Sequence, residues 1–252
     1  MLDSKEEEVK RNLLNRCLES IFLKRNPITK KNYDVNSKTY FLNYGSFIPK
    51  NKNIRILDIG CGMGHFLYAL VKNGYRNFIG IDISNQMINF CKNYVKRTEL
   101  KDSFQEISQK VVNSDLFTYL EKNQEQFDLI VANDLIEHIE KNKILNLFEL
   151  IKHNLKYNGI FIVKTVNMVN PLSNRILYDD FTHQIGFTSL SLAQIYLVTG
   201  FKNVAVGQFI AKKPRFITRI LRKITLKFLS EIFGMKEIKN WSPLIFGVGV
   251  KK

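Results

Sequence analysis

Residues 56–65 read Ile-Leu-Asp-Ile-Gly-Cys-Gly-Met-Gly-His, an apolar run that meets an acid and then a glycine-rich turn. The apolar residues predict a buried strand, and the residues that follow Gly64 predict a helix. Glycine has no Cβ atom, so such a turn lets a ligand approach the backbone closely. The spacing is G-x-G-x-G, not the G-x-G-x-x-G of dinucleotide-binding proteins. The stretch therefore predicts a ligand-binding strand–turn–helix unit of an α/β fold.

Each of the next three predicted strands also runs into a polar side chain, namely Asp82, Asp115 and Asn133. Open α/β sheets bind ligands beyond the carboxyl ends of their strands, and an acid at the tip of the second strand can accept both hydroxyls of a ribose. These residues predict a nucleoside-containing ligand at that edge. The alternative is an ordinary doubly wound domain in which the acids only cap helices.

These motifs resemble those of the class I S-adenosylmethionine-dependent methyltransferases. The matching segments are ILDIGCGMG (56–64), GIDIS (80–84), NSD (113–115) and FDLIVANDLIEHI (127–139). The resemblance covers about residues 54–210 and implies S-adenosylmethionine as the methyl donor and S-adenosylhomocysteine as the product. A sulfonium cofactor has no pyrophosphate, so its loop need not form a full phosphate cradle.

At the methionine end, the resemblance implies that Asp58 orients the loop and the methionine amino group. It implies that Gly60 and Gly62 line the methionine and the ribose, and that Asn133 closes the site near the sulfonium. Cys61, which lies between the two glycines, is expected to be a small residue in a tight turn at the cofactor.

At the nucleoside end, the resemblance implies that Asp82 holds the ribose hydroxyls while Ile83 packs on the adenine. Asp115 would meet the adenine amino group, and Leu116 would offer a backbone amide nearby.

Hydrophobic periodicity predicts seven strands, at 54–59, 77–82, 109–112, 127–132, 159–166, 201–210 and 243–251. Helices are predicted at 5–24, 64–73, 85–97, 115–122, 135–154 and 189–199. The expected fold is α/β: a Rossmann-like, doubly wound, mostly parallel seven-stranded sheet with an antiparallel final strand. We expect residues 1–53 to form an N-terminal helical or lid extension. Residues 54–252 would form the methyltransferase domain, with a basic amphipathic helical insertion at 211–240.

Composition fits one such domain. The chain has 252 residues, of which 45% are hydrophobic and 24% charged. Its cysteines, Cys17, Cys61 and Cys91, lack the C-x-x-C spacing of a zinc site or a disulfide framework. The first ten residues lack the apolar core of a signal peptide, and no apolar run is long enough to span a bilayer. These features predict a cytoplasmic protein.

The net charge of +15 is concentrated, because residues 211–240 hold nine Lys/Arg against two Asp/Glu. A basic amphipathic helix here can bind an anionic membrane peripherally through residues 212–233, pack on the domain or a second copy, or bind an acidic substrate. Nucleic acid is disfavoured as a partner, since the fourth motif reads Asn133-Asp134-Leu135-Ile136 rather than Asn-Pro-Pro-Tyr and no RNA-binding module is present.

Residues 178–188, Tyr-Asp-Asp-Phe-Thr-His-Gln-Ile-Gly-Phe-Thr, contain the candidate catalytic residue. His183 can act as the base that removes a hydroxyl proton if Asp179 or Asp180 hydrogen-bonds it. The D-x-T-H-x-x-x-(F/Y)-(S/T) pattern resembles the acceptor loop of bacterial surface-polysaccharide methyltransferases related to the ubiquinone O-methyltransferase group. The alternative is a structural histidine bonded to backbone.

Asp134, Glu137 and His138 are expected to share one helix face, from their spacing. The E-x-x-E-H form of this cluster is implicated in metal binding in the ubiquinone group. Asp replaces the first Glu here, so no metal is assigned, and these residues are expected to shape the site below the methionine.

The predicted function is an S-adenosylmethionine-dependent O-methyltransferase. Its small-molecule acceptor would be anionic or sugar-nucleotide-like, a carbohydrate or phosphate-bearing precursor of a bacterial surface glycan. Capsule, lipopolysaccharide or a phosphoramidate modification all fit. The alternatives are a quinone or lipid-like acceptor at the membrane surface, a nucleic-acid methyltransferase, which is less favoured, and a cofactor-binding scaffold without activity.

Overall fold

The computed structural model describes residues 9, 12, 27–93, 99–170, 173–211, 216–232 and 242–252. Within them, seven strands form one sheet in the order β3-β2-β1-β4-β5-β7-β6. The strands are β1 Ile56–Ile59, β2 Phe78–Asp82, β3 Val111–Asn113, β4 Phe127–Asn133, β5 Leu155–Val166, β6 Lys202–Phe209 and β7 Leu244–Val250. Strand β7 runs antiparallel to both β5 and β6, whereas the other neighbouring pairs are parallel. The predicted fold class is confirmed.

Nine helices flank this sheet in the described part of the chain. They are α1 Lys30–Tyr44, α2 His65–Lys72, α3 Asn85–Asn93, α4 Lys101–Ile107, α5 Leu116–Lys122, α6 Ile144–Asn154, α7 Ser173–Tyr178, α8 Ser189–Val198 and α9 Phe216–Ile232. Short 3-10 turns cover Gly45–Phe47, Ile136–His138 and Lys141–Lys143. Each of these helices is too short or too polar to cross a bilayer.

The core is divided by the sheet into two apolar layers. Strand β1 supplies both, because successive side chains of a strand point to opposite faces. Ile56 packs in the layer that holds Tyr33 and Phe66, while Leu57 packs in the layer that holds Phe148. Every residue of β1 is buried, including the acid Asp58. The strand that leads into the glycine turn is thus held rigidly from both sides.

The segment before β1 packs on this core through α1. Thr29 caps this helix, its side chain accepting from the Asn32 amide at 3.2 Å. The Tyr33 hydroxyl donates to the carbonyl of Met63 at 2.8 Å, which ties α1 to the glycine turn. The predicted helix at 5–24 lies outside the described residues except for Val9 and Asn12. The division at residue 53 stays a prediction.

The prediction of one helix over 135–154 is wrong. The chain instead forms two 3-10 turns, and α6 begins only at Ile144. The reason lies in a distant loop, because the carbonyl of Glu137 accepts from the amides of Gln184 at 2.7 Å and Ile185 at 3.2 Å. In an α-helix that carbonyl would bond the amide four residues later. Helices α1, α4 and α7 were not predicted individually.

Candidate functional site

A cavity of about 620 Å³ opens at the carboxyl ends of β1, β2 and β4. Its lining includes all nine residues that the resemblance assigns to the cofactor: Asp58, Gly60, Cys61, Gly62, Asp82, Ile83, Asp115, Leu116 and Asn133. The carboxyl ends of the parallel strands meet at one edge, so residues far apart in sequence converge there. The structure therefore brings together the whole predicted set.

The glycine turn needs its glycines for conformation. Gly60, Gly62 and Gly64 have φ of 72°, 51° and 74°, a region that L-residues with side chains rarely adopt. A Cβ on Gly60 would also lie 2.9 Å from the Leu135 side chain, whereas nothing lies within 4 Å of that position on Gly62. The turn leaves bare backbone beside the cavity, as its sequence predicts.

Asp82 at the end of β2 holds the turn in place. One carboxylate oxygen accepts from the Gly62 amide and the other from the Ser84 amide, both at 2.8 Å. Burial raises the pKa of Asp82 above its ordinary value, although these two hydrogen bonds act in the opposite direction. Each oxygen has a further lone pair, so the carboxylate can still accept hydroxyl donors from a ligand.

Asp58 is only 1% exposed, and neither of its carboxylate oxygens has a hydrogen-bond partner within the described part of the chain. Burial, and then the charge of Asp82, raise the pKa of Asp58 well above its ordinary value, while Lys164 opposes them. An unpartnered buried carboxylate is costly. Its presence at the cavity wall marks the place for a cationic or hydrogen-bond-donating ligand group.

Only one of the two polar atoms of the Asn133 side chain has a hydrogen-bond partner among the described residues. Its side-chain oxygen accepts from the Tyr44 hydroxyl at 2.7 Å. Its amide nitrogen is buried and has no acceptor among the described residues. Tyr44, at the end of α1, was missed because nothing in its local sequence distinguishes it from a core aromatic.

The position of Asp115 fits both the predicted role at the cofactor and the alternative role of helix cap. Its carboxylate caps α5 by accepting from the Thr118 amide at 2.9 Å, which is the helix-cap role weighed from sequence. It also lines the cavity beside Leu116. Capping occupies one oxygen, so the other can accept from a ligand amino group.

The opposite end of the cavity is defined by Lys164 on β5, which sequence analysis missed. Its side chain is 7% exposed and pairs with the carboxylate of Asp134. Burial opposes the charged form, but Asp134 and then Tyr40 raise the pKa of Lys164 above its ordinary value. A lysine in an otherwise apolar strand, GIFIVKTV (159–166), is a signal that could have identified it.

Asp134, Glu137 and His138 do not share one face, contrary to the prediction. Asp134 pairs with Lys164, and the buried carboxylate of Glu137 accepts from the Thr165 hydroxyl at 2.8 Å. The Nδ1 of His138 lies 2.8 Å from the Thr182 hydroxyl. The missing helix at 135–143 is the physical reason, since its regular spacing was the basis of the prediction.

His183 lies in the loop that follows α7. Its Nδ1 is 2.8 Å from the carbonyl of Leu177. A carbonyl can only accept, so Nδ1 carries the proton and Nε2 holds the lone pair. The expected carboxylate does not bond this nitrogen: Asp180 accepts from the amide and hydroxyl of Thr182 at 2.9 and 2.7 Å, although it stays within 4.8 Å of a ligand atom of His183, and Asp179 pairs with Arg175. The backbone bond is the one that the structural alternative anticipated.

His183 nevertheless belongs to a polar cluster. Its ring centroid lies 4.6 Å from that of His138, and His138, Asp180 and His183 each offer a ligand atom within 4.8 Å of the others. Burial opposes the shift, but hydrogen bonds from Thr182, and then the electrostatic effect of His138 and His183, lower the pKa of Asp180, so its carboxylate is charged at neutral pH. Such a group could hold a metal ion. Sequence analysis missed it because it joins two separate segments.

The fold and the cavity agree with comparisons to known proteins. A family model described as a methyltransferase domain matches residues 50–214. The chain belongs to this family. The predictions of a class I methyltransferase, and of S-adenosylmethionine as its cofactor, are thereby confirmed at the level of the family.

Individual curated relatives match only about half of this methyltransferase. The ubiquinone biosynthesis O-methyltransferase of Pelagibacter ubique is 33% identical over 116 residues, 46% of this chain and 43% of that protein. The carboxy-S-adenosyl-L-methionine synthase of Nautilia profundicola is 32% identical over 145 residues, covering 56% and 58%. The chain thus spans about half the length of these curated relatives. A solved S-adenosylmethionine-dependent methyltransferase from Archaeoglobus fulgidus superposes with a TM-score of 0.64 at 22% identity, covering 92% and 98%.

The cavity of this methyltransferase fits such a cofactor on its own evidence. The unpartnered carboxylate of Asp58 suits an ammonium or sulfonium group, and Asp82 retains acceptor capacity for hydroxyl groups. The open space at Gly62 leaves room for a close approach to the backbone. Asp58, Asp82 and Gly62 thus give the cavity the charge, the hydrogen-bonding capacity and the space that suit this cofactor.

Proposed function

We propose that this chain is a cytoplasmic S-adenosylmethionine-dependent O-methyltransferase. Its acceptor would be a carbohydrate or phosphate-bearing precursor of a surface glycan, in capsule or lipopolysaccharide biosynthesis, with a phosphoramidate modification among the candidates. The observation that carries the proposal is one cavity that holds the unpartnered carboxylate of Asp58, with Asp82, at its acidic end and the Lys164–Asp134 ion pair, with His138, at its acceptor end. A cationic donor suits the acidic end, and the acceptor would bind at the other end.

At the acidic end, S-adenosylmethionine would supply an electrophilic methyl group. Asp58 would hold the methionine amino group, and the backbone of Gly60, Cys61 and Gly62 would line the methionine and ribose. Asn133, with its unpartnered amide, would close the site near the sulfonium.

The nucleoside would be held at the other strand ends of the acidic side. Asp82 would accept from the ribose hydroxyls, and Ile83 would pack on the adenine. Asp115 would accept from the adenine amino group, with the Leu116 amide nearby. All four residues line the cavity.

At the acceptor end, the proposed base is His183, whose ring packs on the cavity-lining His138 although His183 does not itself line the cavity. Its Nε2 holds a lone pair, because its Nδ1 donates to Leu177, and that nitrogen would take the proton of the acceptor hydroxyl. His138 is the second candidate, because it lines the cavity directly and lies against the His183 ring. The charged Asp180 beside both rings would stabilise the imidazolium that forms.

Two lysines support an anionic acceptor. Lys164 is buried at the cavity wall, and Lys143 lines the same cavity from the turn before α6. Although burial opposes its charged form, Asp134 raises the pKa of Lys164, so the lysine stays charged at neutral pH. Asp134 already pairs with Lys164 and Glu140 with Lys143, so an anionic acceptor would share these lysines with the two carboxylates.

A quinone or lipid-like acceptor is the second candidate function. Its support is the similarity to a ubiquinone biosynthesis O-methyltransferase and two exposed aromatics in the acceptor loop. Tyr178 is 81% exposed and Phe181 is 89% exposed, on either side of Asp180. Aromatic side chains there could contact a quinone ring.

One assay separates these candidates. Calorimetry with S-adenosylhomocysteine first tests the cofactor, and no heat would reject the methyltransferase proposal. Release of S-adenosylhomocysteine is then measured with nucleotide sugars, phosphorylated sugars and quinols as acceptors. We expect turnover with a sugar or phosphate acceptor. Turnover with quinols alone would replace the glycan proposal by the second candidate.

A further inference from the structure

Helix α9, between β6 and β7, presents a large apolar surface that the other described residues leave exposed. Six of its apolar residues are between 42% and 70% exposed: Ile217, Ile220, Leu221, Ile224, Phe228 and Ile232. With about 100° of rotation per residue they occupy an arc of about 120°, one face of the helix. In the part of the chain that the structure describes, this face is therefore not packed on the domain, which was one of the sequence-based alternatives.

The same helix is basic. Residues 216–232 contain four Lys/Arg and a single acid, the exposed Glu231, which lies in the last turn and within the angular range of the apolar arc. Lys223, Lys227 and Arg222 are exposed and lie beside or opposite the apolar arc. Exposed apolar faces of this size mark interaction sites, and a basic border restricts the occupant.

Charge separates the candidate occupants. If two copies packed face to face, their basic borders would be brought together and would repel each other. An anionic bilayer matches both the apolar face and the basic border of α9. Its headgroups attract the lysines and arginines, while the acyl boundary accepts the apolar side chains. The helix is about 25 Å long at 1.5 Å per residue, and its charges keep it in the plane of the interface.

We propose that α9 binds the surface of an anionic membrane, with its apolar arc in the headgroup–acyl boundary. This inference goes beyond the proposed methyl transfer and is independent of which acceptor is used. It also gives a role to the charge excess of 211–240, which the cavity does not use.

Co-sedimentation of the full chain with vesicles tests this. We expect binding to vesicles of phosphatidylglycerol and phosphatidylcholine, weak binding to phosphatidylcholine alone, and release on raising the salt concentration. Phe228→Asp should raise the lipid concentration needed for half-binding by more than about tenfold. The pair Arg222→Glu and Lys223→Glu should have a similar effect, because each basic residue near the surface contributes.

The matched control is Leu190→Asp, the same kind of change at a 70% exposed position on α8. It should bind vesicles as the unchanged chain does, and calorimetry with S-adenosylhomocysteine should give the same affinity for all variants. Equal binding to both vesicle types, or no binding at low salt, would overturn the proposal. So would a dimer, seen by light scattering, that Phe228→Asp dissociates, because a second copy would then be the occupant.

Discussion

At the β1–β2 end of the cavity, polar contacts join segments that are close in sequence, whereas at the β4–β5 end they join distant ones. Asp82 and Gly62 are 20 residues apart, within one β-α-β unit. His138 and Thr182 are 44 residues apart, and Tyr44 and Asn133 are 89 apart. The first end can be read as a motif, because its geometry follows from one supersecondary unit. The second depends on how loops from several units meet.

Substitutions at the two ends of the cavity should also affect different quantities, turnover at one end and cofactor affinity at the other. The largest effect should come from a substitution at the acceptor end. His183→Ala should lower turnover by about two to four orders of magnitude, the usual contribution of a general base. Affinity for S-adenosylhomocysteine should stay unchanged, since His183 is not among the residues that line the cavity. Stopped assays of product release, together with calorimetry, measure both quantities.

His138→Ala is the matched variant for that experiment. If it abolishes turnover while His183→Ala leaves turnover unchanged, the base is His138 and the assignment of His183 is wrong. If both reduce turnover strongly and added divalent metal alters the rates, the cluster with Asp180 acts as a metal site.

A change at the cofactor end should act on binding instead. Asp82→Ala removes the acceptor for the proposed ribose hydroxyls and the bond that holds Gly62. Losing hydrogen bonds to a charged group corresponds to about 10- to 100-fold weaker cofactor binding. Calorimetry measures this directly. Asp102→Ala, an exposed acid in the first turn of α4, is the control and should bind normally.

The unpartnered carboxylate of Asp58 predicts a pH dependence of cofactor binding. Burial raises its pKa when no ligand is present, so it holds a proton over a pH range above 3.8. A bound cation favours the ionised form, so binding releases that proton and affinity rises with pH through the raised pKa, by at most about tenfold per pH unit. Calorimetry in two buffers of different ionisation enthalpy measures the protons released. The same release from Asp58→Asn would show that another group is responsible.

The smallest effect should concern stability at the acceptor end. Burial, and then the charge of Asp134, raise the pKa of Glu137 well above its ordinary value of 4.5. The folded chain therefore keeps a proton that the unfolded chain loses, so this group lowers the free energy of unfolding as the pH rises. Glu137→Gln should keep the hydrogen bond to Thr165 and remove this decrease in the free energy of unfolding with rising pH.

Thermal unfolding at about pH 5 and about pH 8 checks that prediction. The melting temperature of the unchanged chain should fall more between the two values than that of the variant, by about 2–4 °C for each kcal/mol. Glu140→Gln, at a half-exposed position, should behave like the unchanged chain. A steeper fall for Glu137→Gln would contradict the assigned direction.

The successes and failures of sequence analysis follow the same division. Strand β1, the glycine turn and the position of Asp82 at the end of β2 were predicted correctly, because apolar runs, glycines with positive φ and a strand-end acid are local properties. The helix predicted at 135–154 failed, since the Glu137 carbonyl serves residues 184 and 185 instead. Asp180 does lie near His183, as expected, but the Nδ1 of His183 bonds the carbonyl of Leu177 instead of a carboxylate, which sequence spacing could not show.

The sequence by itself determined that this chain resembles an α/β methyltransferase class, because its motifs are local. It also determined which side chains lie at one end of the cavity, because the last residues of parallel strands meet at a common edge of the sheet. Only the tertiary structure decided that Lys164 is buried at the other end, that His138, Asp180 and His183 meet, and that the apolar face of α9 is left exposed by the other described residues. Those features arise from contacts between distant segments, and hydrophobic periodicity carries no information about which distant segments touch.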